Sequence, residues 1–141
     1  MNIKTRDNAF MAIYAVGAYY DNDLSQDFIA SKLIGVAWNG EEAPELHEYI
    51  KSLKVGDIVY IKSAFTNQDI TVKAIGIIKD TKIIENNSLV AIGRNIDWLV
   101  TEKFVIPRPA EKSNFRSNVI YEEFHPDVQK EIVNKIKRPF F

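Results

Sequence analysis

Cysteine is absent from all 141 residues, which excludes disulfides, thiolate chemistry and cysteine-ligated zinc or iron–sulfur centres. Histidine occurs only as His47 and His125, far apart, whereas a usual catalytic zinc site wants three protein ligands. No apolar run approaches the ~18 residues of a membrane span. The N-terminal stretch "MNIKTRDNAF" lacks the apolar region of a signal peptide. A cytoplasmic location and no membrane partner are therefore the expectation. Neither sign of charge dominates: the formal net charge of −1 demands no polyanionic partner, although a local basic patch suffices for phosphate contacts.

Catalytic motifs are missing too. There is no G-x-S-x-G, no G-x-x-x-x-G-K-[ST] and no G-x-G-x-x-G. "DNDLSQD" offers Asp21, Asp23 and Asp27 but lacks the glycine and terminal glutamate of a calcium loop, so it reads as a polar turn. "NNS" at residues 86–88 reads as a turn rather than a glycosylation acceptor. No enzyme, cofactor or metal is expected.

What is present is an ordinary globular composition, 46% hydrophobic and 26% charged, in a chain of single-domain size. "AFMAIYAVGAYY" predicts a buried strand over about residues 10–18, followed by a turn or N-cap at Asp21–Asp23 and a short helix or structured loop carrying Leu24, Phe28 and Ile29. "KLIGVAW" reads as a strand closed by Asn39-Gly40. Pro44 opens a helix whose apolar face is Leu46, Tyr49, Ile50 and Leu53 and which ends near Lys54. Strands follow at "DIVYIKS", "ITVKAIGIIKD", "LVAIGRNIDWLV" and "KFVIPRP", and a helix starts at Pro126 with Val128, Ile132, Val133 and Ile136 inward. Gly76 in mid-strand marks a bulge or a close backbone approach. The predicted fold class is α+β: a small, strongly bent mixed β-barrel of about six strands, with two or three short helices at its ends. It forms one domain over 1–141, with a core of about 9–106 and a C-terminal helical extension over 107–141.

The candidate site residues are aromatic. Trp38 ends a strand at the Asn39-Gly40 turn, Tyr19 and Tyr20 close the first strand, and Phe65 lies in the polar "FTNQD" loop. Rings at strand ends, in a domain without catalytic groups, point to a stacking pocket for a planar ligand, with Asn39 and Ser63 to read its edge. Single rings that merely cover the barrel ends are the plainer explanation of each. Arg94, Asn95 and Lys62 form a second, candidate nucleic-acid contact set, set against a strand-entry turn for the first two and a charged exterior for the lysine.

"LKVGDIVYIKS", "ITVKAIGIIKD" and "GRNIDWL" resemble the core of the PUA-like superfamily. The likeness is to EVE-type modules and to the modified-base-reading N-terminal modules of modification-dependent restriction enzymes. It runs over about residues 9–106 and rests on Ile13–Val16, Ile34–Trp38, Gly56-Asp57, Ala74–Ile78 and Ile96–Trp98. This chain reads "IGVAWNG", with two residues between glycine and tryptophan.

The resemblance implies a bent barrel whose pocket stacks a base, plain or modified, flipped out of DNA or RNA. Flipping costs a few kcal/mol, and stacking of ~1–3 kcal/mol per base helps offset it. It places the stacking tryptophan at Trp38, with Asn39, Tyr19, Tyr20 and Ser63 near it. The functional expectation is a non-catalytic module reading a nucleobase, with any effector protein supplied in trans. The alternative is a small-molecule sensor or protein-interaction domain using the same mouth. No residue pattern specifies an oligomeric state.

Overall fold

The computed structural model describes residues 12–63, 69–109 and 120–137. In chain order it runs β1 (Ile13–Val16), β2 (Tyr19–Tyr20), β3 (Asn22–Asp23), α1 (Ser25–Ser31), β4 (Leu33–Val36), α2 (Pro44–Ser52) and β5 (Ile58–Ser63). After these come β6 (Ile70–Glu85), β7 (Ile92–Val100), β8 (Phe104–Ile106), β9 (Ile120–Glu122) and α3 (Pro126–Lys137). Seven strands make one mixed sheet in the order β4-β7-β6-β5-β1-β9, with β8 pairing the start of β6. β1 lies parallel to β5, and the remaining pairs in this sheet are antiparallel.

Alternation along β1 and β5 sets the layers, because successive side chains leave a strand on opposite faces. Val59 and Ile61 join Val16, Phe28 and Ile50 in one core, on the side of α1 and α2. Ile58 and Tyr60 join Ile13, Ala15, Val128 and Ile132 in a second core under α3. Helices on both faces explain why five of the six β5 residues are buried, a run rather than the apolar–polar alternation of a one-sided sheet. The segment expected as a C-terminal extension thus supplies the strand β9 and the helix α3 to the second core.

The class is α+β as expected, but the sheet is open: β4 and β9 end the strand order and are not paired with each other among the described residues. The irregularity of the sheet is concentrated in β6, sixteen residues long, where the register against β7 shifts at Ile75/Gly76 and again between Ile78 and Ile83. Gly76 fits both expectations for it. A Cβ there would meet the Ile96 side chain at 2.5 Å and the Asp97 carbonyl oxygen at 2.7 Å, so β7 approaches more closely than any other residue permits. β6 also runs five residues past its expected end at Asp80.

Gly56-Asp57 turns the end of α2 into β5. Gly56 has φ +91°, a left-handed conformation that favours glycine. The buried Asp57 carboxylate accepts from the Lys54 amide at 2.8 Å and from the Ala12 amide at 3.3 Å, so one side chain caps the turn and anchors the entry to β1. Burial pushes its pKa up, opposed by those two amides and by the charges of Lys54 and Arg94.

Candidate functional site

The aromatic corner is built by two turns. The first is the β2–β3 hairpin, in which Tyr19 pairs with Asp23 and Tyr20 with Asn22 around Asp21, whose φ is +65°. Sequence patterning marked Tyr19 and Tyr20 as the close of the first strand and Asp21–Asp23 as a turn or N-cap, because two-residue strands are too short to show a period. Asp23 locks the hairpin in place. Its carboxylate accepts from the Ser25 amide and hydroxyl at the start of α1 and forms an ion pair with Lys73. Burial alone would raise the Asp23 pKa, but the hydrogen bonds from Lys73 and Ser25 outweigh it and bring the value down to about 2. Lys73 is available because it is the extra residue where the β5–β6 register slips: Ile61 pairs with Ala74 and Lys62 with Val72.

The second turn follows β4. The Asn39 side-chain oxygen accepts from the amides of Glu41 and Glu42 at 3.0 and 2.8 Å, and the Glu42 carboxylate accepts from the Asn39 amide at 3.4 Å. His47 Nε2 on α2 donates to the Trp38 carbonyl at 2.7 Å. Trp38 is thus held by its backbone from both sides while its indole remains 45% exposed. Tyr20 meets that indole edge-to-face, with ring centroids 5.3 Å apart and planes at 78°. The Tyr20 hydroxyl donates to the Gly35 carbonyl at 3.3 Å, and burial pushes its pKa up, so it stays a neutral donor.

Of the expected pocket residues, the structure brings Trp38 and Tyr20 together and sets Asn39 beside them as the keystone of the turn. Tyr19 is 72% exposed and, as the neighbour of Tyr20 in a strand, leaves on the other side. Ser63 ends β5, opposite Thr71 and three strands along the sheet from β4. Phe65 lies outside the described residues.

The second candidate set is placed differently. Arg94 is 2% exposed. Its guanidinium donates to the carbonyls of Ile50 and Leu53 at 3.0 and 2.5 Å and to that of Asp80 at 2.9 Å, tying the end of α2 to the bend in β6. Burial lowers its pKa, against the raising effect of Asp80 and Asp57. Asn95 donates to the Asp80 carboxylate at 3.1 Å on one oxygen and 3.3 Å on the other. Lys62 is buried, with its ammonium 5.3 Å from the centre of the Tyr121 ring. Arg94 and Lys62 face protein rather than solvent. Lys79 and Lys82 are exposed.

A signal in the sequence that composition as a whole conceals concerns charge. Residues 12–50, which contain the whole corner, hold three aspartates and four glutamates against Lys32 and the neutral His47, a formal charge of −6; the rest of the chain carries +5. Asp21, Glu41 and Glu42 are exposed within three or four residues of Tyr20 or Trp38.

No helix among the described residues is long and apolar enough to cross a membrane. No group of three or more metal-ligating side chains occurs among them. Comparison with protein-family models and with curated proteins finds no match.

Proposed function

We propose that this protein is a non-catalytic binding module that takes a planar, nucleobase-like ring against Trp38. The observation that carries the reading is the pairing of an exposed indole with a perpendicular Tyr20, both fixed by turns whose hydrogen bonds are already made. A preorganised ring loses little freedom on binding, so the stacking of ~1–3 kcal/mol per base is not spent on ordering it. Support for a PUA-like, EVE-type module comes from the bent mixed sheet, the Gly56-Asp57 strand entry and the close approach at Gly76.

In its first form the reading has the base presented by DNA or RNA, plain or modified, in the cytoplasm, with any effector protein acting in trans. A second form, a free small molecule or a protein segment at the same rings, is favoured by the carboxylates of Asp21, Glu41 and Glu42 around the corner, which repel a phosphate backbone. Fluorescence titration with plain and modified oligonucleotides and with free nucleosides, at two salt concentrations, tests both. Binding should change the Trp38 emission, and the change should vanish in Trp38→Leu while Trp98 still reports. Oligonucleotide binding that weakens with salt supports the first form, and nucleoside binding without oligonucleotide binding supports the second. An emission that responds to none of these probes overturns the proposal.

A further inference from the structure

The charge around the corner specifies which planar ring suits it. Trp38 offers a 45% exposed indole, the aromatic ring on which a cation gains most, and Tyr20 braces it by packing against it edge-to-face. The Glu42 carboxylate is fixed one residue from Trp38 by the Asn39 amide, and Glu41 and Asp21 are exposed alongside. Lys73, which approaches this region from β6, has its charge engaged by Asp23. Residues 12–50 supply Lys32 as their only lysine or arginine, at the far end of α1 in the left-handed conformation, and His47 as their one histidine, its Nε2 on the Trp38 carbonyl.

We infer that the corner selects a planar organic cation: a base or similar heterocycle carrying a fixed positive charge, such as one methylated on a ring nitrogen. This rests on the ring-binding reading above and adds the sign of the ligand. A neutral base gains stacking alone. A cationic one gains cation–π attraction over the indole and Coulomb attraction to Glu42, Glu41 and Asp21. A phosphate on the ligand meets the same carboxylates with the wrong sign.

Two isomeric probes separate charge from size and from methylation. 1-Methyladenosine is a cation at neutral pH, and N6-methyladenosine is its neutral isomer. Titrated into the full chain with Trp38 emission as the readout, 1-methyladenosine is expected to bind about tenfold tighter than its isomer or adenosine. The preference should shrink as salt rises. Adenosine 5′-monophosphate is expected to bind more weakly than adenosine. Glu42→Gln, with Glu41→Gln added, keeps the turn's acceptors and should reduce the preference severalfold while adenosine binding stays within twofold. Equal binding of the two isomers overturns the inference but leaves ring binding standing. Failure of every nucleoside to perturb Trp38 overturns both.

Discussion

Arg94 and Trp38 sit in comparable places, each close to a tight turn, and they have opposite fates. The charged residue is the buried one, with three carbonyls around its guanidinium, whereas the large aromatic is nearly half exposed. Side-chain type would assign the arginine to a phosphate and the tryptophan to the core. What decides is the supply of partners. The Ile50 carbonyl, which the Leu53 amide reaches only at 3.4 Å, and the carbonyls of Leu53 and Asp80 converge on a guanidinium that supplies several donors in one fork. Around Trp38 the turn's polar groups already have partners in Asn39 and His47, so the turn is held without the ring being buried.

The comparison can be broken most severely at the arginine. Arg94→Met removes the donor shared by three carbonyls, of which Ile50 keeps only the Leu53 amide at 3.4 Å, so unfolding in urea should show a loss of roughly 3–5 kcal/mol. A loss under about 1 kcal/mol would mean that water reaches those carbonyls and that the residue is dispensable to the fold. Gly76→Ala comes next. Its added methyl meets Ile96 and the Asp97 backbone on a strand with little room to shift, and a cost of about 1–3 kcal/mol is expected by the same measurement.

The Asp23–Lys73 ion pair sharpens the other side of the comparison, since it holds the hairpin that carries Tyr20. Asp23 titrates at about 2 in the fold against an ordinary 3.8, so the folded state favours its charged form. Its contribution is complete above pH 3.8 and is lost as the pH falls through about 2. Because the carboxylate side is 47% exposed, the amount is under about 1 kcal/mol. Comparing wild type with Lys73→Met between pH 5 and pH 2 isolates it: the stability difference should close over that window. Trp38→Leu should have the smallest effect on stability, within about 1 kcal/mol, the edge contact with Tyr20 being most of what it loses. A thermal melt that falls sharply would mean that the indole is a structural ring and not a presented one.

The elements with a strong local pattern were legible in the sequence. α2 has Pro44 in its first turn and an apolar face through Ile50, α3 begins at Pro126, and Gly76 carried its own signal. β9 was not legible, because three residues define no period and its pairing with β1 is a property of the sheet. A bent barrel was expected from the strand pattern and the PUA-like resemblance, but a barrel depends on which edges meet, and β4 and β9 do not pair among the described residues. At the site, the position of Trp38 followed from the Asn39-Gly40 turn. The same Asn-Gly signal, with amides two and three residues on, also foretells an Asx turn that occupies the Asn39 oxygen. Arg94 had a signal too: it stands in the strand stretch Gly93-Arg94-Asn95-Ile96, a setting in which a charge is either exposed or met by acceptors from neighbouring elements.

The parallel pairing of β1 with β5 has a kinetic consequence. Neighbouring antiparallel strands can meet as hairpins, but these two join only after residues 17–57 have looped back, and a closure of that length slows folding. Tyr20 and Trp38 lie on successive limbs of that crossover. Their contact closes a shorter loop than the pairing of Ile13 with Ile58, so the change in Trp38 emission during refolding should come before β1 finds β5.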